Sequence, residues 1–403
     1  MNAAGIKKKL REAVKLTAFR VVYPAAYALG CLRPVDKGLT LFCEVRHGFL
    51  TDSFIPIYRE LERRGCRCRV FYIHNNAGGM GYLLRYLKLC FLLPRAGTIL
   101  IDDTCNLFGA FKLRRGCRLI QTWHSCGAFK KWGYSIAGLS FGQEPEQLDR
   151  YPAHTNYSLV TVSSRECIPH FNEAFGFDRS GRRCVRATGV ARTDYFFDES
   201  NRSAAFEKLY KKYPQAEGRK VLLYAPTYRG DADDAQPPKM FDIAKMVDTV
   251  GDGAVLLIKQ HGFVGAKTRI PESCRGRAFD VSDSMRIEEL LFVSDAVITD
   301  YSSLIFEYSL FLRPMVFYAY DLDEFYDYRG FYYRYDNDFL PGEIVREESG
   351  LYAAVVKALA GADAEERERL ARFRDRFMGA CDGHSAERIA NYITGKTTTN
   401  KEH

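Results

Sequence analysis

The chain has 403 residues, which is longer than one typical domain and predicts two domains of about 180–200 residues each. Its composition, 47% hydrophobic and 27% charged, is typical of a soluble globular protein, and its net charge of +8 is too moderate to indicate nucleic-acid binding by itself. The twelve cysteines lack the spacing of a zinc site or a disulfide framework, so we expect mostly buried thiols in a reducing compartment.

Residues 1–36 form a basic segment with an amphipathic pattern. Apolar residues recur at near-helical spacing among the cations Lys7, Lys8, Lys9, Arg11, Lys15 and Arg20. The uncharged run Val21–Leu32 is too short to span a bilayer. We therefore expect this segment to anchor the protein peripherally on the inner face of the membrane. A signal peptide cleaved near Ala26–Ala28 is the alternative. Gly81–Arg95 is a second basic, apolar helix, either a membrane-contacting helix or a core helix with a solvated edge.

Residues 37–195 alternate strands and helices, as expected for one doubly wound α/β domain. A helical pattern covers Ser53–Gly65. The predicted strands are Leu39–Glu44, Arg69–His74, Thr98–Asp102, Arg118–His124, Leu159–Ser163 and Val185–Thr188.

The same alternation restarts after a charged helical stretch and predicts a second such domain over residues 196–375. Its predicted strands are Lys220–Pro226, Ala254–His261, Ala278–Val281, Ala296–Thr299 and Met315–Tyr320, and its predicted helices are Met240–Val250, Ile287–Val293 and Ser303–Leu312. Residues 376–403 are predicted to be helical and to return to the first domain. The expected fold class is GT-B, with two doubly wound Rossmann-like domains and a cleft between them, the acceptor on the first and a donor nucleotide on the second.

Chemically active side chains follow several of these strands. Ligands of open α/β sheets bind beyond the carboxyl ends of the strands, so these residues are the site candidates. In the first domain they are His124, with Lys130 and Lys131 after it; in the second they are Thr227, Tyr228, Lys259, His261, Ser302 and Ser303. Arg192 lies where the second domain should begin. The alternatives are structural histidines, solvated lysines and an arginine without a ligand.

Ser302 and Ser303 stand where the strand Ala296–Thr299 should give way to a helix. Free N–H groups, the helix dipole and two hydroxyls would converge there on a phosphate. Ser302 acting only as a helix cap is the alternative.

The sequence predicts neither a metal site nor a cofactor. Asp323, Glu324 and Asp327 form an acidic run that is more typical of a solvated helix start than of a metal site. A dinucleotide-binding glycine fingerprint, a phosphate-binding P-loop, a nucleophile elbow and zinc-ligand spacing are all absent from the sequence.

Six short motifs occur together and in order. They are Gln121-x-Trp-His124 with Gly127-Ala-Phe-Lys130, Thr188-Gly-x-x-Arg192-x-Asp194, Ala225-Pro-Thr-Tyr228-Arg229, Lys259-x-His261, Asp300-Tyr-Ser-Ser303-x-x-x-Glu307, and Tyr320-Asp321-x-x-x-Phe325-x-x-x-Arg329-Gly330. Over roughly residues 38–375 the chain resembles the CDP-glycerol glycerophosphotransferase family of teichoic acid synthesis.

The resemblance implies a GT-B enzyme at the cytoplasmic face of the membrane. Such an enzyme transfers glycerol phosphate from CDP-glycerol to a hydroxyl of a lipid-linked glycan or polyol-phosphate acceptor by in-line attack on the β-phosphorus, and CMP leaves. The catalytic residues would be His124, as general base, and His261. Donor contacts would come from Arg192, Thr227, Tyr228, Lys259, Ser302, Ser303 and Glu307, and acceptor or phosphate contacts from Lys130, Lys131 and Arg329.

Three departures from the family pattern leave the polyol and the acceptor open. Ser125 and Cys126 stand where glycine is common, Gly262 replaces a proline, and Glu307 replaces an aspartate. The alternatives are a transferase that uses CDP-ribitol, a GT-B glycosyltransferase that uses a sugar nucleotide, and a nucleotide-binding protein of this fold without activity. Nucleic acid is not an expected partner.

Overall fold

A computed structural model describes residues 3–73, 79–139, 142–231 and 234–396. The predicted strand end at His74 and the terminal residues 1–2 and 397–403 lie outside them. The chain divides into two compact units. Unit 1 contains the chain up to His124, then Trp132–Asp194, and the chain from Ala380 onward; unit 2 contains Ser125–Lys131 and Tyr195–Gly379.

Unit 1 is built on a parallel sheet with the strand order β2-β1-β3-β4-β5-β6. The strands are β1 (Asp36–Glu44), β2 (Arg67–Tyr72), β3 (Ala96–Ile101), β4 (Arg118–Gln121), β5 (Tyr157–Thr161) and β6 (Val185–Arg186). Its helices are α1 (Ala3–Thr17), α2 (Tyr23–Gly30), α3 (Ile55–Arg63), α4 (Gly79–Leu92), α5 (Pro145–Arg150), α6 (Ile168–Ala174), α7 (Phe177–Ser180) and α15 (Ser385–Thr394). Each strand predicted in this region is present, because apolar runs buried on both faces are typical of parallel sheets.

Helices cover both faces of this sheet. Tyr27 of α2 and Leu89 of α4 belong to the cluster on one face. Ile57 of α3 and Ile389 of α15 belong to the cluster on the other face, so the C-terminal helix is part of unit 1.

The N-terminal helices differ in exposure. A π-helical turn at Ala18–Val22 joins α1 to α2. Three large apolar residues of α1 are exposed, namely Ile6, Leu10 (64%) and Val14 (62%), whereas Tyr23 and Tyr27 of α2 are buried. Among the described residues, every helix is too short or too polar to cross a membrane.

Unit 2 is built on a second parallel sheet with the strand order β12-β11-β10-β7-β8-β9. Counted from β7, this is the order of the dinucleotide-binding fold. The strands are β7 (Lys220–Tyr224), β8 (Ala254–Ile258), β9 (Ala278–Asp280), β10 (Ala296–Thr299), β11 (Met315–Tyr318) and β12 (Glu343–Val345). The helices are α8 (Glu199–Lys212), α9 (Ile243–Val250), α10 (Ile287–Val293), α11 (Leu304–Tyr308), α12 (Leu322–Arg329), α13 (Glu348–Ala360) and α14 (Ala364–Met378).

Two helices of unit 2 are shorter than predicted. α9 begins at Ile243 because the carboxylate of Asp242 caps it, accepting the N–H of Lys245 at 3.0 Å. α11 ends at Tyr308 and gives way to a 3₁₀ turn that stops at Leu312, whose φ of 51° is left-handed. Strand β12 was not predicted.

Candidate active site

The candidate residues divide between the units. His124 and Arg192 belong to unit 1, and Lys130, Lys131, Thr227, Tyr228, Lys259, His261, Ser302, Ser303, Glu307 and Arg329 belong to unit 2.

In unit 1, a strained turn after β4 holds His124. The strand ends at Gln121, whose side-chain oxygen accepts the N–H of Trp123 at 3.0 Å. Trp123 has a φ of 57°, and its ring stacks on the His124 imidazole with 4.6 Å between centroids. A left-handed conformation in a bulky residue costs of order 1–3 kcal/mol and is concentrated at functional sites. The turn therefore fixes the imidazole rather than merely ending a strand.

The hydrogen bond of one ring nitrogen sets the tautomer of His124. Nδ1 donates to the backbone oxygen of Asp102 at 3.1 Å, which leaves the lone pair of Nε2 available as a base. Burial lowers the pKa of His124, and the nearby guanidinium groups of Arg46 and Arg192 lower it further, while Asp103 opposes them. The imidazole is still 43% exposed. A neutral, oriented and accessible imidazole suits general-base chemistry at neutral pH.

The carboxyl groups of Glu44 and Asp102 meet at the point where the strand order of the sheet reverses. Thr51 Oγ1 is 2.9 Å from Glu44 Oε2 and 3.0 Å from Asp102 Oδ2, and so bridges the ends of β1 and β3. Burial and the charge of Glu44 raise the pKa of Asp102 to about 8. The other oxygen, Asp102 Oδ1, is buried with no hydrogen-bond partner among the described residues. Sequence reasoning missed this pair as a site feature, although Asp102 closes a predicted strand.

The motif Thr188-Gly-x-x-Arg192-x-Asp194 contacts both the His124 turn and the C-terminal helix α15. Arg192 Nη1 donates to the backbone oxygen of His124 at 2.7 Å. Asp194 accepts the N–H groups of Ser385 and Ala386 at 3.0 and 2.7 Å, and thereby caps α15. Gly189 has a φ of 82°, and a Cβ there would lie 2.2 Å from Ser385 Oγ. Two residues of the motif therefore hold the C-terminal helix, and one supports the histidine turn.

In unit 2, Asp300 and Asp321 are occupied by structural partners. Asp300 accepts the N–H of Thr227 at 2.8 Å and pairs with Arg229 at 2.9 Å. Arg229 also binds both carboxylate oxygens of Asp321. In the acidic run, Asp323 pairs with Arg346 at 2.6 Å. In the part of the chain that is described, no group of three or more His, Cys, Asp or Glu residues could hold a metal ion.

Tyr228 and His261 pack against each other beyond β7 and β8, with 4.8 Å between ring centroids. His261 Nδ1 accepts the N–H of Phe263 at 3.2 Å, so Nε2 carries the proton of the neutral ring and is a donor. The ammonium group of Lys259 is engaged by a neighbouring loop, since it donates to the backbone oxygens of Ser282 and Met285. His261 thus has the geometry of a phosphate contact, and Lys259 that of a loop anchor.

Lys130 and Arg329 form a cationic cluster with Tyr228. An antiparallel bridge joins Lys130 to Phe331, and the N–H of Lys131 donates to Gly330. Burial and the charges of Arg329 and Arg229 lower the pKa of Lys130 to about 7, although Asp300 opposes them. Burial also lowers the pKa of Arg329. Cations held this close together are stabilised by an anion, so the cluster suits a phosphate.

The remaining candidates lie around α11. Ser302 Oγ accepts the N–H of Leu304 at 3.4 Å, a long helix-capping bond, and both Ser302 and Ser303 are half-buried. Glu307 is buried on α11, with Oε1 4.0 Å from the sulfur of Cys126. Because α11 has only five residues, its dipole adds less to a phosphate site than the long helix predicted from the sequence would.

The comparisons with known proteins agree on one family. The family model described as CDP-Glycerol:Poly(glycerophosphate) glycerophosphotransferase matches residues 25–395. The teichoic acid poly(ribitol-phosphate) polymerase of Bacillus spizizenii is 33% identical over 91% of this chain, which spans only 58% of that protein. The teichoic acid ribitol-phosphate primase of the same organism is 31% identical over 94% of this chain and 96% of that protein.

A solved structure supports the fold. The wall teichoic acid polymerase TagF superposes with a TM-score of 0.72 at 23% identity over 98% of both chains. This likeness, with two parallel-sheet Rossmann-like domains in the chain, confirms the predicted GT-B fold class.

Proposed function

Because the chain belongs to the CDP-glycerol:poly(glycerophosphate) glycerophosphotransferase family, we propose that it transfers a polyol phosphate from a CDP-polyol to a hydroxyl group of a teichoic acid acceptor and releases CMP. The observation that carries the proposal is the His124 imidazole, which is neutral, oriented by Asp102 and partly exposed. A positioned base of this kind accelerates the attack of a hydroxyl group by accepting its proton.

The donor is assigned to unit 2. Its diphosphate would bind the cluster of Lys130, Arg329 and Tyr228, with His261 donating from Nε2. The hydroxyl of Thr227, which is buried without a hydrogen-bond partner in the described ranges, would be a further polar contact for the donor. Ser302 and Ser303 would supply weaker contacts. Lys259 and Glu307 would support donor binding indirectly. Lys259 anchors the loop that contains Ser282 and Met285, and Glu307 is buried on α11.

The proposed reaction is an in-line displacement at the β-phosphorus of the donor. A new bond forms between the acceptor oxygen and that phosphorus, and the bond to the bridging oxygen of CMP breaks. The proton of the acceptor hydroxyl goes to Nε2 of His124. The charge that develops on CMP is stabilised by Lys130, Arg329 and His261, a form of electrostatic catalysis that works best with preorganised donors.

Two polyols are candidates. Two relatives at 31–33% identity carry ribitol phosphate in their names, which makes CDP-ribitol the first donor to test. CDP-glycerol is the second, because the family description names glycerophosphate. The departures at Ser125, Cys126 and Gly262 flank the proposed donor and base residues and are where this choice would be made.

We further propose that the acceptor is lipid-linked and that the protein acts peripherally at the cytoplasmic face of the membrane. Exposed Ile6, Leu10 and Val14 share α1 with basic residues, and this combination is typical of an interfacial helix.

The test is CMP release. The protein is incubated with CDP-ribitol, CDP-glycerol or a UDP-sugar, with and without a lipid-extract acceptor, and in the presence and absence of EDTA. We expect acceptor-dependent CMP release from one CDP-polyol that EDTA leaves largely intact, since the proposed phosphate site is built from protein cations. Consumption of the UDP-sugar alone would favour a glycosyltransferase, and no consumption of any donor would favour a non-enzymatic nucleotide-binding protein.

A further inference from the structure

Unit 2 contains a cavity of about 360 Å³ between α14 and the segment Asn337–Pro341. None of the candidate active-site residues lines it. Arg369, Arg372 and Arg376 line one side, and at this spacing they share one face of α14. The cavity therefore presents a row of cations about 10 Å long, given the rise of 1.5 Å per residue in a helix.

The floor of the cavity is aromatic. Phe339, Phe373 and Phe377 line it and are buried. Arg376 lies over the ring of Tyr333 at 5.1 Å, and Tyr333 stacks on Phe339 at 4.7 Å. The planar guanidinium of arginine is suited to contact with aromatic rings and to the recognition of phosphate. The floor thus offers apolar contact next to the row of cations.

The charge balance leaves the cavity receptive to an anion. Asp338 is the one acidic residue in the lining. Arg372 pairs with Glu368 at 2.5 Å, and Arg369 lies 3.9 Å from Glu365, but both glutamates are at least 70% exposed. Exposed pairs contribute only about 0–1 kcal/mol, so a phosphate can displace them.

We propose that this cavity binds the polyol-phosphate chain of the acceptor or product, through its phosphodiester groups. The proposal rests on the proposed function for the identity of the chain. Phosphodiesters suit the guanidinium row, because arginine binds phosphate oxygens in a bidentate manner, and the C–H groups of the polyol between them suit the aromatic floor. A chain held here would stay with the enzyme between transfers.

The cavity also borders the segment that supports the donor cluster. Arg329 and the cavity wall Asn337–Pro341 belong to one stretch, which pairs with Phe129 and Lys131 through backbone hydrogen bonds. Tyr335 in this stretch donates to the backbone oxygen of Asp300 at 3.0 Å. A chain in the cavity would thus contact the same segment that carries Arg329.

The test measures binding of a fluorescently labelled ribitol-phosphate or glycerol-phosphate oligomer to the full chain. The double variant Arg372→Gln/Arg376→Gln should bind it ~10-fold or more weakly, because two charge-assisted contacts are lost. Arg374→Gln is the matched control, since Arg374 lies on the same helix, pairs with Asp375 and does not line the cavity. Asp338→Asn should strengthen binding, which no folding defect would produce.

Competition and activity separate the remaining sources of phosphate. Inorganic phosphate at equal phosphate concentration should not displace the oligomer, and binding to anionic vesicles should be equal in the double variant and the wild type. The proposal would be overturned by any of three results. They are displacement of the oligomer by inorganic phosphate, a double variant that loses binding to vesicles but not to the oligomer, and equal oligomer binding by all variants. If the double variant binds the oligomer as well as the wild type and a CDP-polyol still yields CMP, the cavity assignment is wrong and the proposed function stands. If no CDP-polyol yields CMP but the double variant binds the oligomer more weakly than the wild type, the proposed function is wrong and the cavity assignment stands.

Discussion

The imidazole Nδ1 of His124 lies 3.1 Å from the backbone oxygen of Asp102, which fixes the tautomer with its free lone pair on Nε2. Because Asp102 is also tied to Glu44 through Thr51, the hydrogen bond that orients the base is anchored in the ends of β1 and β3. The base is therefore set by the sheet and not by a loop alone.

This arrangement predicts the acid side of the pH profile. The pKa of His124 is lowered from its ordinary value near 6.5, so the base should stay neutral, and turnover should stay high, until the pH falls below that value. Asp103→Asn removes the charge that raises this pKa, and the acid limb of kcat should move to still lower pH. Asp178→Asn, an exposed change in unit 1, should leave it in place. An acid limb that moves upward in Asp103→Asn would contradict the assignment.

Lys130 should take up a proton when the donor binds. Its pKa of about 7 leaves it mostly neutral at pH 8 in the free protein, and a bound phosphate favours the charged form and raises that pKa. Calorimetry with a CDP-polyol at pH 8, in buffers of different ionisation enthalpy, should show uptake of up to ~one proton. Lys130→Met should abolish the uptake, whereas Lys211→Gln on α8 should not. Equal uptake in Lys130→Met would remove Lys130 from the phosphate site.

His261 should contribute to donor affinity. His261→Ala loses a hydrogen bond to a charged phosphate, worth about 1.5–3 kcal/mol, so the donor Kd should rise ~10-fold or more in calorimetry without acceptor. Ser302→Ala should have a milder effect of the same kind, since its hydroxyl already accepts the N–H of Leu304. His384→Ala, in an exposed part of unit 1, is the control. Unchanged affinity in His261→Ala would exclude this histidine as a donor contact.

Membrane attachment should depend on the exposed face of α1. Each cation near an anionic surface contributes about 1 kcal/mol, so the protein should pellet with anionic vesicles at low salt and be released at high salt. Leu10→Ser/Val14→Ser should weaken pelleting, and Val356→Ser, which is similarly exposed on α13, should not. Point changes are preferable to removing residues 1–33, because Tyr23 and Tyr27 belong to the core of unit 1. Failure to pellet at low salt would refute the proposed anchor.

The sequence predicted the sheets well because parallel strands buried on both faces appear as short apolar runs. Strand β12 escaped because Glu343–Val345 is three residues long and only Val345 is buried. The strand-end rule predicted His124 and His261 as site residues, and the structure places each of them three residues beyond the end of its strand, β4 or β8. The Glu44–Asp102 pair was missed because it depends on β1 lying next to β3, a neighbour relation that local pattern does not contain. The ion pairs of Arg229 with Asp300 and Asp321 were missed for the same reason, because the two aspartates follow different strands.

If His124 is the base for transfer from a CDP-polyol, the variant His124→Ala should lose turnover and keep its affinity for the donor. Calorimetry with the CDP-polyol should give a Kd close to that of the wild type, while acceptor-dependent CMP release should fall by ~10²-fold or more. The reverse result, with donor affinity lost and the turnover of bound donor retained, would contradict the assignment of the base to unit 1 and of the donor to unit 2.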